Sequence, residues 1–240
     1  MRGLDARAAI RIWELGADQH PQARSLQLLR EVWPEREPLG ALSLGERDRL
    51  LLQLHAAWCG DGIEAVDACP NCAEKVEISL SARALLDEAP APGPTHFTLE
   101  GTTVRFRPMC TDDLLTAADA PDADAAARVL RRRCVLELSR PEGPLPVDAM
   151  DDALVAELSR RLDEADPLAE ILLELDCPAC GQRWPSVLEI GEHVFAAVAR
   201  QARQALGEVH ALASRYGWSE AEILDLSPAR RRWYLAAMSA

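Results

Sequence analysis

The stretches Cys69-Pro70-Asn71-Cys72 and Cys177-Pro178-Ala179-Cys180 decide how this chain folds. In each, two residues separate the cysteines, so one tight turn can aim both sulfurs at the same point. The proline after the first cysteine fixes φ and helps to set that turn. Two such turns facing each other supply four thiolates, the ligand set of a structural zinc site. We therefore predict a single tetrahedral metal site, with zinc as its ion, formed by Cys69, Cys72, Cys177 and Cys180.

Other interpretations of these cysteines stay open at this point. Iron suits the same four sulfurs, and the two turns could instead be unrelated buried or redox-active pairs. A thioredoxin-like dithiol needs its CxxC at a helix N-terminus. Here strand-like alternation flanks both motifs, as at Val76, Ile78 and Leu80. Four thiolates also leave no open coordination position, which favours a structural metal over a catalytic one.

The separation of the two motifs predicts an inserted domain. Between Cys72 and Cys177 lie 104 residues, whereas a usual zinc ribbon has roughly 15–20. Loop-closure entropy grows only logarithmically with length, so a long insert is tolerated if it folds on its own. Helical patterns over 111–118, 123–137 and 150–165, after a hairpin at 95–107, indicate that it does. We expect a split zinc-ribbon β-unit over 61–190, carrying an inserted hairpin and helices at about 81–168.

Helical patterns fill the two ends of the chain. Ser43-Leu44-Gly45-Glu46 is a capping box, and with helices over 4–15 and 21–33 it indicates an N-terminal helical unit over 1–60. An apolar helical face over 191–216, followed by helix starts at Ser219 and Ser227, indicates a C-terminal helical module over 191–240. The fold class is α+β and mainly helical.

Composition narrows the classes of partner. The net charge is -13, which disfavours binding to nucleic acid or to an anionic membrane surface. Neither a signal peptide nor an apolar run of 18 residues occurs in the sequence, so we expect a cytoplasmic protein without a membrane partner. Thiols are reduced in that compartment, which suits metal binding. Cys59, Cys110 and Cys134 lie outside the motifs, and we expect them to be small buried apolar residues.

Catalytic patterns are missing from the sequence. The five histidines are scattered without ligand spacing, and there is no Gly-rich phosphate loop, no GxSxG and no HExxH. We therefore predict a protein that is not an enzyme, with no catalytic residues and no small-molecule substrate.

The C-terminal module concentrates aromatic residues. A small helical module rarely buries four large aromatic side chains, and aromatic and arginine residues are common at binding hot spots. We predict a partner-binding surface made of Tyr216, Trp218, Arg231, Trp233 and Tyr234. The alternative is a zinc-ribbon DNA-binding transcriptional regulator, in which Arg230, Arg231 and Arg232 contact phosphate. Residues 200–240 hold six arginines against four acidic residues, so this segment is only slightly basic.

The motifs of the tail and the knuckles also carry a family resemblance. The tail reads YGWSEAEIL at 216–224 and LSPARRRWYL at 226–235. It resembles the C-terminus of the baseplate hub assembly chaperone family of contractile-tailed phages and phage-like contractile injection systems. The wider layout is similar as well: LSLGERDRLLLQL at 42–54, the CPNC knuckle, VRFRPMCTDDL at 104–114 and DCPACGQRW at 176–184. The resemblance implies a role in assembly, with baseplate or hub proteins of a contractile tail as partners.

Overall fold

A computed structural model describes residues 4–36 and 38–238 of the chain. Ten α-helices lie in these residues: Ala6–Gly16 (α1), Pro21–Val32 (α2), Leu44–Trp58 (α3), Ala82–Asp87 (α4), Thr111–Ala118 (α5), Ala123–Cys134 (α6), Asp152–Ala165 (α7), Ile190–Tyr216 (α8), Glu220–Asp225 (α9) and Pro228–Ala237 (α10). The strands are Gly62–Ala68 (β1), Lys75–Ser81 (β2), His96–Leu99 (β3), Thr102–Phe106 (β4), Val135–Arg140 (β5), Gly143–Pro144 (β6), Leu172–Asp176 (β7) and Arg183–Val187 (β8). The predicted α+β class is confirmed.

The strands form three separate antiparallel sheets. β1 pairs with β2, β7 pairs with β8, and the remaining strands form a four-stranded sheet in the order β3-β4-β5-β6. One element differs from the prediction, because the helix expected over 123–137 ends at Cys134 and the chain continues as β5. Val135 pairs with Phe106 and Leu138 with Val104. The open edge of β4 therefore determines the conformation of a segment whose apolar spacing also fits a helix.

Contacts divide the chain into two compact units. One combines the N-terminal part up to Glu35 with the residues from Glu192 onward, and the other runs from Arg36 to Gly191. This differs from the predicted division at 60 and 190, because α3 belongs to the central unit. The N–H of Leu44 donates to the carbonyl of Met109 at 2.9 Å. That of Gly45 donates to the Asp166 carboxylate at 2.8 Å.

One hydrophobic core of the central unit lies between the four-stranded sheet and α7. Its buried side chains come from β3, β4, β5 and α7 and from the loop before α7: Phe97, Val104, Phe106, Val135, Leu138, Met150, Leu154, Leu158 and Ala165. The inserted segment between the two cysteine motifs thus has a hydrophobic core of its own. The capping box predicted at Ser43 is present, with Ser43 Oγ accepting from the Glu46 N–H at 3.1 Å.

The other unit is entirely helical over its described residues. The side chain of Arg7 in α1 donates to Asp225 at 2.8 Å, and that of Arg24 in α2 donates to Glu192 at 3.0 Å. These bonds tie the first two helices to the C-terminal part of the chain. Among the described residues, no helix has the length and apolar character needed to cross a membrane.

Candidate metal centre

Two hairpins deliver the four motif cysteines. The end of β1 pairs Ala68 with Lys75 of β2, and the end of β7 pairs Asp176 with Arg183 of β8. The turn between each pair holds one CPxC motif. We call these turns the first knuckle (residues 69–74) and the second knuckle (residues 177–182).

Both knuckles close with the same backbone hydrogen bonds. In the first, the N–H of Cys69 donates to the carbonyl of Glu74, and the N–H of Ala73 donates to the carbonyl of Cys69, each at 2.9 Å. In the second, the N–H of Cys177 donates to the carbonyl of Gln182, and the N–H of Gly181 donates to the carbonyl of Cys177, again at 2.9 Å each. The turn geometry is therefore the same, although the residue before the second cysteine and the two residues after it differ between the knuckles.

The residue after the second cysteine is left-handed in both knuckles. Gly181 has φ 72°, which glycine adopts without a steric penalty. Ala73 has φ 60° at the equivalent place. A residue with a Cβ loses roughly 1–2 kcal/mol in this conformation, so the first knuckle holds local strain that the second does not.

The four sulfurs form a compact cluster. The Sγ atoms of Cys69 and Cys180 are 3.6 Å apart, and those of Cys72 and Cys177 are 3.5 Å apart. All four lie within 4.8 Å of one another. Zinc–sulfur bonds of about 2.3 Å at tetrahedral angles place ligand sulfurs about 3.8 Å apart. The two short sulfur–sulfur distances lie close to this value, and the four residues could hold a metal ion.

Burial distinguishes the two cysteines of each knuckle. Cys69 and Cys177 are buried, whereas Cys72 and Cys180 are exposed. Each knuckle therefore contributes one inner and one outer sulfur. An ion held here would be shielded on one side by protein and would lie near the surface on the other.

Hydrogen bonds set the acidity of the outer thiols. The Asn71 side chain and the N–H of Gln182 bond to the sulfur of Cys180 and lower the pKa of that thiol to about 6. The N–H of Glu74 acts in the same direction on Cys72, but hydrogen bonds with the other sulfurs and desolvation raise the pKa of the Cys72 thiol to about 12. The Cys72 thiol thus keeps a proton that a metal ion would have to displace, since only thiolates coordinate the ion.

A second link joins the two hairpins beside the sulfurs. The indole N–H of Trp184 in β8 donates to Asp67 Oδ2 in β1 at 3.1 Å. Ser186 and the N–H of Ala68 also donate to this carboxylate, and together the three bonds lower the pKa of Asp67. The local repeat of an aspartate before each motif, Asp67 and Asp176, was visible in the sequence, but the pairing with Trp184 was not.

The equivalent aspartate of the second hairpin has a different role. Asp176 accepts from the Arg183 guanidinium at 2.6 Å, within its own hairpin and in the solvent-exposed layer. Among the described residues, the Asp176 side chain accepts no hydrogen bond from the first hairpin.

The remaining cysteines lie outside this cluster. Cys110 and Cys134 are buried, as expected, but Cys59 is exposed. The prediction for Cys59 was wrong because the residue is the C-cap of α3, where the chain turns out toward Gly60. Cys110 donates its S–H to Asp113 at 3.2 Å. Within the described residues, the four motif cysteines form the single cluster with metal-ligand geometry.

The tail brings its four aromatic rings together. Tyr216 stacks on Trp218 at a centroid distance of 4.8 Å, and Tyr234 meets Trp218 and Trp233 edge-on at 4.9 and 5.1 Å. Trp233 is the outermost ring, with 66% of its surface exposed, and Tyr216 is 38% exposed. We call Tyr216, Trp218, Trp233 and Tyr234 the aromatic patch.

Arg231 corrects the predicted partner-binding set. Its side chain is only 7% exposed. It donates to Glu208 of α8 and to the carbonyl of Leu226, both at 2.8 Å. These contacts fix α10 against α8, so Arg231 supports the module from inside and is not available to a partner.

The fold and the cysteine cluster define the class of protein: an α+β chain whose two distant β-hairpins together form a centre able to hold a metal ion. No family model matches the chain, and neither does any curated protein or solved structure. Function must therefore be inferred from the chemistry of the centre, from the exposed surfaces and from the sequence resemblance.

Proposed function

We propose that the protein is a non-enzymatic assembly factor for the baseplate or hub of a contractile tail, stapled by a structural zinc ion. The proposal joins the resemblance of the tail and knuckles to two features of the molecule. One is the four-sulfur cluster, and the other is the aromatic patch on the C-terminal module.

The cluster favours zinc held for a structural purpose. Four cysteine sulfurs at tetrahedral spacing are a common zinc environment, and zinc has no d-electron preference that would distort it. With four protein ligands, no coordination position is left for a substrate or an activating water. The ion would convert the two hairpins into one zinc ribbon and hold the ends of the inserted segment together. The compact arrangement of four sulfurs from distant parts of the chain carries this part of the proposal.

The aromatic patch supports a binding role. Exposed Trp and Tyr side chains provide large apolar contact areas with little loss of side-chain entropy, which is why they are frequent at interface hot spots. Trp233 rests against Tyr234 and projects from α10, so it can enter a pocket on a partner. The inner rings keep it in place, because they pack on Leu212 and Ile223 of the module core.

Affinity capture tests the binding role directly. The tagged full chain is mixed with separately purified hub and baseplate proteins of a contractile tail. We expect one of them to be retained, and Trp233→Ala to weaken retention at least tenfold, the loss of a hot-spot contact of about 1.4 kcal/mol or more. Leu136→Ala is the matched control, because Leu136 is 55% exposed but lies on β5, outside the aromatic patch.

Three results would argue against the proposal. Failure of every baseplate and hub protein to bind would remove the assembly role. If Trp233→Ala and Leu136→Ala weakened retention equally, the aromatic patch would not be the binding surface. Salt-sensitive binding to duplex DNA that is lost when Arg230 and Arg232 are neutralised would favour the DNA-binding alternative.

A further inference from the structure

A second exposed feature lies in the inserted segment, far along the chain from the aromatic patch. α6 and α7 border a groove of about 240 Å³. Its floor is apolar and is formed by Met109, Leu130, Cys134, Val155, Leu158 and Leu162. Cys134 and Leu158 are buried, while the other four are partly exposed toward the groove. The groove therefore presents apolar side chains that the described part of the chain does not fully cover.

The walls of the groove are two helix faces. Ala127, Leu130, Arg131 and Cys134 follow one face of α6, and Val155, Leu158, Ser159 and Leu162 follow one face of α7. A channel between two helices accepts a third helix, whose apolar residues at i, i+3, i+4 and i+7 enter it.

The charge on one wall indicates what the third helix must carry. Arg131 lines the groove, and Arg128 lies one turn before it on α6. Their neighbours are paired, Arg132 with Asp148 and Arg133 with Asp113. In the part of the chain that the structure describes, Arg128 and Arg131 form no ion pair. Arg128 and Arg131 help to lower the pKa of the Asp148 carboxyl, but the direct contact of that carboxylate is with Arg132. Two cations without a direct carboxylate contact therefore lie beside an apolar channel.

We propose that this groove binds an amphipathic helix of a partner protein whose α6-facing flank is acidic. Its apolar face covers the floor of the groove, and its Glu or Asp side chains pair with Arg128 and Arg131. On the α7 side the groove is lined by Asp163, which repels an acidic flank and so fixes the orientation of the bound helix. Binding of such a helix does not require the baseplate role.

Selection from a displayed library of helical peptides tests the proposal without a known partner. The full-length protein is the target, and Ala127→Trp, which places a large ring in the groove from an exposed position on α6, is the counter-target. We expect enriched peptides to have an apolar face and one acidic flank. In fluorescence anisotropy with such a peptide, combined Arg128→Glu and Arg131→Glu should weaken binding about tenfold or more.

Arg203→Glu is the matched control, since Arg203 is an exposed mid-helix arginine of the other unit. It should leave the affinity unchanged, and circular dichroism establishes that each variant is folded. The proposal would be overturned if the enriched peptides bound Ala127→Trp and the unmodified chain equally tightly. It would also be overturned if their flank were neutral or basic, or if no peptide were enriched. Because the probe is a displayed peptide, these results do not depend on whether baseplate proteins are captured.

Discussion

The two knuckles have the same shape but reach it with different residues. Each has a buried first cysteine, an exposed second cysteine and the same pair of closing hydrogen bonds. The second has glycine at its left-handed position, whereas the first forces Ala73 into that conformation. The burial pattern and the closing hydrogen bonds are thus the features that bring the four sulfurs together. The identity of the left-handed residue can differ between the two hairpins.

The aspartates before the knuckles differ more than the knuckles themselves. Asp67 accepts a hydrogen bond from Trp184 across the hairpins, while Asp176 forms an exposed ion pair inside its own hairpin. The first hairpin therefore contributes the polar link between the two, and it also holds the strained residue. The second is relaxed and is joined to the first through its sulfurs and through Trp184 and Ser186.

Loss of a sulfur should have the largest effect, and it should be equal in the two knuckles. Cys72→Ser and Cys180→Ser remove equivalent outer ligands, so both should abolish stoichiometric zinc binding. Because structural zinc contributes on the order of 10 kcal/mol of binding energy to folding, we expect a loss of several kcal/mol in the free energy of unfolding. Metal analysis and thermal melts measure both effects.

Cys59→Ser is the control for these variants, because Cys59 is exposed and lies outside the cluster. It should retain zinc and melt as the unmodified protein does. Retention of zinc by one knuckle variant but not the other would show that the two are not equivalent ligands of one ion.

Removal of the aspartate should lower the free energy of unfolding more in the first hairpin than in the second. Asp67→Ala deletes the acceptor of Trp184 and should lower the free energy of unfolding by about 1–2 kcal/mol, as expected for hydrogen bonds to a charged group. Asp176→Ala deletes an exposed ion pair and should change it by less than about 0.5 kcal/mol. Urea unfolding of both variants in the zinc-loaded state provides the comparison, and equal losses would contradict the asymmetry of the hairpins.

Substitutions at the two left-handed positions, Ala73 and Gly181, should change the stability least, and in opposite directions. Ala73→Gly relieves the strain in the first knuckle and should stabilise the protein by about 1 kcal/mol. Gly181→Ala introduces that strain in the second and should destabilise it by a similar amount. An added Cβ at Gly181 meets nothing within 4 Å, so the conformational term acts alone. Thermal melts of the two variants and the double exchange test this, and a stabilising Gly181→Ala would refute it.

Local patterns in the sequence were sufficient for much of the fold and for the cluster itself. Ligand spacing predicted that Cys69, Cys72, Cys177 and Cys180 lie together, across a gap of 104 residues. Capping chemistry predicted the helix starts at Ser43, Ser219 and Ser227, all of which are present. These features depend on residues that are neighbours in the chain or that converge on a single point.

Features that depend on tertiary partners were missed. β5 has an apolar spacing that suits a helix, and its pairing with β4 decides otherwise. Arg231 belongs to an exposed-looking run of three arginines, yet Glu208 and Leu226 hold it inside the module. The grouping of α1 and α2 with the tail depends on bonds such as that from Arg7 to Asp225, which join residues more than 200 positions apart.

X-ray absorption at the zinc edge of the purified, zinc-loaded protein tests the four-sulfur centre most directly. We expect one zinc ion per chain with four sulfur neighbours at about 2.3 Å. A shell that contains nitrogen or oxygen, fewer than four sulfurs, or no bound zinc at all would contradict a centre built from both knuckles.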